Sequence, residues 1–212
     1  MINKKIENQS NDSLFFTRSN LDNSKVDKIV SDALHKADDG ELFMEFCESE
    51  SFVYDDQRLK SASFDTSKGF GLRAIAGESS GYAHSSDIDE NALKKASETV
   101  NFITKDHNAN FNANFSKTNR KLYNEINPIN ETEFSEKVET LKKIDEYARS
   151  KNPNVKQVSA SLNGEWQAVR IYRPGGIMIE DLRPLVRLYV SIVLEKDGRQ
   201  ENGSRGSGGR VD

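Results

Sequence analysis

The stretch from Ser63 to Ser86 constrains the fold of this chain more than any other. Four apolar residues recur there at every second position, which places them on one face of an extended strand. They are Phe70, Leu72, Ala74 and Ala76. The opposite face carries Gly69, Gly71, Arg73, Ile75 and Gly77. Because glycine leaves the backbone bare, another chain can approach that face closely. The stretch therefore predicts two tight strands in a packed sheet with one approachable side.

The overall composition predicts a soluble globular protein. Of the 212 residues, 35% are hydrophobic and 30% are charged, which lies within the range of soluble domains. The formal net charge of -4 argues against a general attraction to nucleic acid or to an anionic membrane, since both need a clustered basic surface. We therefore expect no nucleic acid and no membrane among the partners.

The cysteine content and the lack of long apolar segments predict a cytoplasmic location. A single cysteine, Cys47, excludes an internal disulfide and suits a reducing compartment. Its apolar neighbours Phe43, Met44 and Phe46 favour a buried core thiol over a nucleophile or a ligand. Residues 1–13 are polar and mixed in charge, so they do not resemble a signal peptide.

The first part of the chain is predicted to form a small α+β domain at residues 21–104. Residues 1–20 precede it as a loose arm in which only Leu14 to Phe16 is apolar enough to dock. A first helix is predicted to begin at an N-cap on Ser24 and to stop at Gly40.

Antiparallel strands and a second helix complete this predicted domain. Alternating apolar residues predict a strand at 41–53 and its hairpin partner at 54–65, before the strands of the Ser63 to Ser86 stretch. Asp87 or Asp89 then provides the N-cap of the second helix.

Residues 105–129 are predicted to form a linker. Hydrophobic periodicity is lost there, and the tetrapeptide Asn-Ala-Asn-Phe occurs twice at 108–115. A second, β-rich α+β unit is predicted at 130–212. It begins with a helix whose capping box pairs Asn130 with Glu133.

The strands of the second unit are predicted from alternation and from turn residues. Two strands are expected on either side of a turn at Asn163-Gly164, at 155–162 and 165–172. A long strand follows at 177–194, and Asp197-Gly198 is a strong signal for a two-residue hairpin. The segment from Gly203 to Gly209 is thereby expected at the sheet edge.

A glycine-rich tail, GSRGSGGR, supplies the first candidate contact residues. Gly206, Gly208 and Gly209 could form a nest for an anion or let a peptide backbone approach closely. The competing interpretation is a flexible linker, because Gly and Ser often mark mobility. The tail lacks the order of a nucleotide-binding P-loop.

Three arginines are the other candidates for peptide contact. Arg183 and Arg187 are four residues apart on a predicted strand, so they share a face and could hold a carboxylate. Pairing with Asp181 and Glu195 is the more common alternative. Arg73 has the same two interpretations, a clamp or a cross-strand ion pair.

No catalytic or metal-binding residues are predicted. The histidines are His35, His84 and His107, none is followed by Glu, and no Ser-His-Asp or Cys-His arrangement can be argued. A solvent-facing or hydrogen-bonded imidazole is the preferred interpretation of His84.

Three segments resemble the TldD branch of the TldD/PmbA family. They are the Ser63 to Ser86 stretch, VSASLNG at Val158 to Gly164, and DLRPLVRLYVSIVLEKDGRQENGSRGSGGR at Asp181 to Arg210. The resemblance runs from about Asp22 to the last residue. The family comprises zinc metallopeptidases that were once described as modulators of DNA gyrase.

This resemblance implies peptide hydrolysis for a complete protein and no catalytic activity for this chain alone. The family carries zinc on an H-E-x-x-x-H helix downstream of the glycine-rich run, and this sequence has no such motif. We therefore expect an amino-terminal portion, truncated before the zinc-binding half, that encloses and guides unfolded peptides. Its expected partners are a PmbA/TldE-like sister subunit or the matching carboxy-terminal half. A stand-alone peptide-binding or assembly module is the alternative.

An apolar stripe in the long predicted strand suggests self-association. Val186, Leu188, Val190, Ile192 and Leu194 alternate with other residues and would be poorly suited to water. Unless another part of the chain covers this stripe, a homo-oligomer or a complex with the carboxy-terminal half is expected.

The absence of a zinc motif leads to a direct prediction. The purified chain should hold no stoichiometric zinc and should cleave no unfolded peptide, because a catalytic site needs three protein ligands and an open position. Elemental analysis after dialysis tests the first part, and one tightly held zinc per chain would contradict it.

Overall fold

The computed structural model describes residues 11–17, 19–107, 122–123 and 126–210, and within them it shows an α+β fold around one antiparallel sheet. The fold class predicted from the sequence is thus confirmed. The helices are α1 (Asn11–Phe16), α2 (Asn23–Leu34), α3 (Glu90–Thr104), α4 (Pro128–Glu131) and α5 (Phe134–Lys151). The strands are β1 (Asp39–Asp55), β2 (Arg58–Ala76), β3 (Ser79–Ser85), β4 (Val155–Arg173), β5 (Ile177–Lys196) and β6 (Arg199–Gly209).

The sheet has the order β3-β2-β1-β4-β5-β6, so its outer strands are β3 and β6. Tight turns join the strands that follow one another directly. The β1–β2 turn places Asp56 and Gln57 at φ 47° and 65°, and the β5–β6 turn places Asp197 and Gly198 at φ 52° and 79°. Positive φ at both central residues is typical of two-residue hairpins. The predicted Asp197-Gly198 hairpin and the edge position of the glycine-rich tail are therefore confirmed.

The predicted turn at Asn163-Gly164 is wrong, because β4 continues through both residues. Neither residue has the positive φ that an Asn-Gly hairpin turn requires. The strand continues because β1 runs beside it. Ser51 Oγ donates to Asn163 Oδ1 at 2.8 Å, and the amide of Asp56 donates to the carbonyl of Val158 at 3.0 Å.

The chain divides into two compact units whose segments interleave in the sequence. Unit 1 comprises the described residues within Met1–Phe46, Ser67–Arg120 and Ala168–Asp181. Unit 2 comprises those within Cys47–Thr66, Lys121–Gln167 and Leu182–Asp212. This grouping differs from the sequential division at 105–129, because the long strands contribute residues to both units. The sequential division stays a prediction, and most of the predicted linker lies outside the described residues.

Two amphipathic helices supply much of the core of unit 1. The N-cap of α2 is Asp22, whose carboxylate accepts the amide of Lys25 at 2.8 Å, rather than the predicted Ser24. Asp89 caps α3 by accepting the amide of Ala92 at 2.8 Å, which is one of the two predicted caps. Both helices bury apolar side chains, and on β2 the residues Phe70, Leu72, Ala74 and Ala76 are buried as predicted.

The short helix α1 docks on a buried arginine of β4. Phe15 and Phe16 are buried, with their ring centroids 5.2 and 5.5 Å from the guanidinium carbon of Arg170. Asp12 Oδ1 forms an ion pair with Nη1 of the same guanidinium at 2.7 Å. The predicted docking of Leu14 to Phe16 agrees with this contact, and residues 11–17 do not form a loose arm.

Arg170 is only 2% exposed, yet its charge is well compensated. Its Nε donates to Glu180 at 2.9 Å and its Nη1 donates to Asn23 Oδ1 at 3.0 Å. Burial lowers the pKa of Arg170, but Tyr172 and Glu180 outweigh that effect, so the net pKa is raised. For the neighbouring Tyr172 hydroxyl, burial has the opposite effect and raises the pKa. This arginine therefore stays charged and holds α1, α2, β4 and β5 together within unit 1.

The core of unit 2 lies between α5 and the sheet. Phe52, Tyr54, Leu141 and Ala160 form its buried centre, and Leu188 and Val190 of β5 pack against them. Part of the apolar stripe predicted on β5 is therefore covered within unit 2 itself. The predicted capping box is wrong. Asn130 lies in α4, and Glu133 precedes α5 without a side-chain cap.

A buried ion pair connects α5 to β1. Lys137 Nζ donates to both carboxylate oxygens of Glu50, at 2.8 and 2.7 Å, and to the carbonyl of Ile129 at 2.7 Å. All three protons of the ammonium group are therefore used, which is what a buried charge requires. A Cβ on Gly164 would lie 3.0 Å from Glu50 Oε1, so the neighbouring strand leaves room for this carboxylate.

None of the helices in the described part of the chain has the length and apolar character that a membrane crossing requires.

The buried pair predicts a large and asymmetric effect of mutation. Lys137→Met leaves the Glu50 carboxylate buried without its partner and should lower the free energy of unfolding by about 3 to 5 kcal/mol. The double variant E50L/K137M removes both charges and should recover most of that loss. Urea unfolding followed by circular dichroism measures both effects.

Lys142→Met is the matched control, because Lys142 lies on the same helix with its side chain 47% exposed. Its loss should change the free energy of unfolding by less than about 1 kcal/mol. Equal effects of Lys137→Met and Lys142→Met would contradict the expected cost of leaving Glu50 buried without its partner.

Candidate functional site

The candidate contact residues on β2 form a cluster with two side chains of β3. The register pairs Gly71 with His84 and Arg73 with Tyr82, and directly opposite residues share a face of the sheet. Arg73 is exposed, and Tyr82 is 62% exposed with its ring centroid 5.8 Å from that of His84. An arginine and a tyrosine thus stand side by side on an accessible face. We name these residues the β2–β3 cluster.

The glycines of this cluster are required by close contacts within the fold. A Cβ on Gly71 would lie 2.5 Å from the Tyr82 hydroxyl, so the tyrosine ring crosses the strand over this glycine. A Cβ on Gly69 would lie 2.8 Å from the carbonyl oxygen of Ser85. The backbone predicted to be bare at Gly71 is therefore covered by Tyr82.

A second cluster lies on the β5–β6 hairpin. The register pairs Arg187 with Gly208 and Tyr189 with Gly206. The guanidinium carbon of Arg187 lies 5.7 Å from the centroid of the Tyr189 ring, within the range of a cation–π contact. A Cβ on Gly206 would lie 3.4 Å from Tyr189 and 3.8 Å from Arg187, so both side chains lean over this glycine. We name these residues the β5–β6 cluster.

Two further candidates flank the β5–β6 cluster. Arg183 is on the same face of β5 as Arg187 by strand alternation, and its Nη1 lies 3.4 Å from Gln167 Oε1 on β4. Gly209 ends β6 opposite Val186. Glu195 is one predicted partner of the arginines. Its carboxylate instead forms an ion pair with Lys156 Nζ at 3.7 Å and accepts a hydrogen bond from Gln200 Nε2 at 2.9 Å.

The predicted candidates therefore form two clusters rather than one site. Gly69, Gly71 and Arg73 belong to unit 1, and the remaining candidates belong to unit 2. In the sheet, β1 and β4 lie between β2 and β5. Each cluster combines a cationic side chain and a tyrosine, which can contact a carboxylate and an apolar side chain respectively, and the tyrosine lies over a glycine.

The two tyrosines are the residues that sequence reasoning missed. Tyr82 and Tyr189 complete the clusters, although neither was a predicted site residue. A signal for Tyr189 was available, because counting back from the Asp197-Gly198 hairpin places it opposite Gly206. An aromatic residue opposite a strand glycine commonly covers that glycine.

The histidines of the described residues do not fit a zinc site. His35 Nδ1 is 2.8 Å from the carbonyl of Asp32, and His107 Nε2 is 2.8 Å from Asp38 Oδ2. His84 contacts Tyr82. No group of three metal-ligating side chains occurs in the described part of the chain. The residues present therefore do not match the zinc that the family resemblance implies for a complete protein.

Asp38 joins the β2–β3 turn to the residues that follow α3. Its Oδ2 accepts the amide of Gly77 at 2.6 Å in addition to the contact with His107. The amide of Gly77 and then the His107 ring lower the pKa of this carboxyl group. Asp38 is therefore a structural anion of the turn, and its contacts leave it no role in the two clusters.

Two family models match this chain. Residues 40–101 match the model described as PmbA/TldA metallopeptidase domain 1, and residues 127–212 match the PmbA/TldA metallopeptidase central domain.

Curated relatives extend the similarity over most of the chain. A metalloprotease TldD homolog from Haemophilus influenzae is 34% identical over 198 residues. One from Buchnera aphidicola subsp. Schizaphis graminum is 28% identical over 197 residues. In both cases 92% of this chain is covered, and the chain spans only 41% of the relative's length.

Solved structures share the fold at low sequence identity. A crystal structure from Bacteroides thetaiotaomicron, described as a candidate modulator of DNA gyrase, gives a TM-score of 0.67 at 14% identity. It covers 87% of this chain and 44% of the other chain. The structure of TldE from Thermococcus kodakarensis gives a TM-score of 0.62 at 17% identity, covering 88% and 43%.

The contacts of the β6 glycines predict opposite results for two alanine substitutions. In Gly208→Ala the new Cβ would meet the carbonyl oxygen of Val186 at 2.3 Å, whereas at Gly203 it would meet open space. Gly208→Ala should therefore weaken the β5–β6 pairing by about 1 to 3 kcal/mol. Gly203→Ala should leave it unchanged or stronger, since glycine weakens strands.

Hydrogen exchange of the β5 and β6 amides measures this difference. Faster exchange near Val186 in Gly208→Ala alone would support the assignment of Gly208 to a close backbone contact. Equal exchange in both variants would contradict it.

Proposed function

Because the chain belongs to the TldD/PmbA family of metallopeptidases, we propose that it is a non-catalytic part of a peptide-hydrolysing protein, where it encloses and guides unfolded peptides. The chain spans less than half of its curated relatives and contains no H-E-x-x-x-H motif. Hydrolysis is therefore assigned to residues outside this sequence, and the role left to this chain is contact with substrate and with other subunits.

The observation that carries this proposal is the β5–β6 cluster. Arg187 and Tyr189 are exposed, lie in contact with each other, and lean over the side-chain-free Gly206. A guanidinium recognises carboxylates, and a tyrosine ring adds apolar contact area at a low entropy cost. Unfolded peptides offer partners for both side chains. The β2–β3 cluster repeats this arrangement with Arg73 and with Tyr82, which covers Gly71.

Contact with a PmbA/TldE-like sister subunit is the second part of the proposal. The fold similarity to TldE supports it, because related chains of one family commonly assemble through equivalent surfaces. A cytoplasmic location is proposed from the single cysteine, which suits a reducing compartment.

A stand-alone peptide-binding or assembly module is the alternative function. The same clusters would then bind peptides without any link to hydrolysis. Adding a separately produced polypeptide with the H-E-x-x-x-H segment of a full-length relative separates the two functions. Zinc-dependent cleavage that needs both polypeptides supports the proposed role, whereas unchanged peptide binding without cleavage supports the alternative.

Peptide binding predicts a specific loss on substitution of Arg187. A fluorescein-labelled disordered peptide with acidic and aromatic residues should bind the chain, and Arg187→Ala should weaken binding about threefold to tenfold because a charge-assisted contact is lost. Fluorescence anisotropy at low and high salt measures the dissociation constant.

Arg199→Ala is the matched control, because Arg199 lies on the same hairpin, its side chain is 81% exposed, and it pairs with Glu201 two residues away. It should leave the dissociation constant within about twofold. Equal losses in the two variants would reduce the effect to net charge and would contradict a site at Arg187.

A further inference from the structure

The outer strand β6 ends the sheet order, so in the described part of the chain one of its backbone edges has no strand beside it. Its sequence, RQENGSRGSGG, contains no proline, which would remove a backbone donor from such an edge. The strand therefore offers hydrogen-bonding groups along its length to another extended chain.

The hairpin register identifies which residues point their backbone groups outward. Lys196 and Arg199 flank the two-residue turn and form its closing, hydrogen-bonded pair. Hydrogen-bonded and non-hydrogen-bonded pairs alternate along an antiparallel ladder. Odd-numbered residues of β6 therefore bond to β5, and the even-numbered residues direct their N–H and C=O groups to the free edge. The outward set comprises Gln200, Asn202, Ser204, Gly206 and Gly208.

We propose that β6 is a self-pairing edge, at which two copies of this chain join their sheets antiparallel about Gly203. In this register Asn202 of each copy faces Ser204 of the other copy. The outward backbone groups of both strands therefore meet in hydrogen-bonded pairs. Residues 201 and 205 then form the intervening non-hydrogen-bonded pairs, in which side chains approach most closely.

Charge selects this arrangement over other registers. Glu201 of each copy lies opposite Arg205 of the other, which gives two symmetric ion pairs on one face. A parallel arrangement would instead bring like charges together. An antiparallel pairing centred on Ser204 would place Glu201 opposite Ser207 and would leave both charges without this partner.

Steric space also favours pairing about Gly203. A Cβ on Gly203 would meet nothing within 4 Å, so the edge is open there. The two Gly203 residues would face each other at the two-fold axis, where the absence of side chains permits close approach. The Glu201 side chain is 62% exposed and pairs with Arg199 on the same strand, so it remains accessible to a second copy.

This dimer does not depend on peptide binding. Peptide binding uses the side chains of Arg187 and Tyr189 on a face of the hairpin, whereas the proposed pairing uses the backbone edge, which includes Gly206 and Gly208 of the β5–β6 cluster. The two proposals can therefore fail separately.

Charge reversal tests the proposed register. Sedimentation equilibrium over micromolar to near-millimolar concentrations should show a monomer–dimer equilibrium for the unmodified chain. Glu201→Arg or Arg205→Glu should each weaken the dimer about tenfold, because like charges then face each other twice. The double variant E201R/R205E exchanges the charges and should restore dimerisation to within about threefold.

Glu165→Arg and Arg58→Glu are the matched controls, because both residues are exposed strand residues outside β6 and undergo the same charge changes. They should leave the equilibrium unchanged. Ser204→Pro provides a test through the backbone. It removes one outward N–H while leaving the bonds of β6 to β5, so it should abolish the dimer with the circular dichroism spectrum retained.

Two results would overturn the proposal. A chain that stays monomeric at the highest concentration would show that the edge does not pair with a second copy, and a peptide or another strand would then be its occupant. A dimer that is insensitive to both charge reversals and to Ser204→Pro would lie on another surface.

Discussion

Four long strands are the constraint on which the rest of the structure depends. β1, β2, β4 and β5 each contain 17 to 20 residues and contribute to both compact units. Since every strand pairs with its neighbour through backbone hydrogen bonds, the sequence segments on the two sides of residues 105–129 are built into both units. Helices then complete each core separately, with α2 and α3 in unit 1 and α5 in unit 2. The long strands are therefore the main reason why the two compact units do not follow the sequential domains predicted from the sequence.

Buried cations organise each unit around its helices. Arg170 in unit 1 and Lys137 in unit 2 are 2% and 5% exposed, and each has carboxylate and neutral oxygen partners. Burying a charge is costly unless such partners satisfy it, and replacing a buried pair by apolar residues can even stabilise a protein. Arg170 connects the short α1 to β4, and Lys137 connects α5 to β1.

The proposed function of this chain rests on side chains that the sheet places beside glycine. The β2–β3 and β5–β6 clusters each combine an arginine, a tyrosine and a glycine, on hairpins at the two ends of the strand order. The glycines serve the fold first, because Tyr82 crosses Gly71 and the carbonyl of Val186 approaches Gly208. The proposed peptide contact would use the exposed arginines and tyrosines.

The sequence by itself determined the local structure and the family. Alternation placed Phe70 and Leu72 on a buried face, Asp87 or Asp89 marked the start of α3, and Asp197-Gly198 specified the β5–β6 hairpin, because these features depend on neighbours within a few residues. Only the tertiary structure decided the continuity of β4 through Asn163-Gly164 and the burial of Lys137. The strand continues because β1 supplies partners more than 100 residues earlier in the chain. Lys137 is buried because Glu50 lies opposite it, 87 residues away. A lysine on a helix is normally exposed, and no local pattern reports a distant carboxylate.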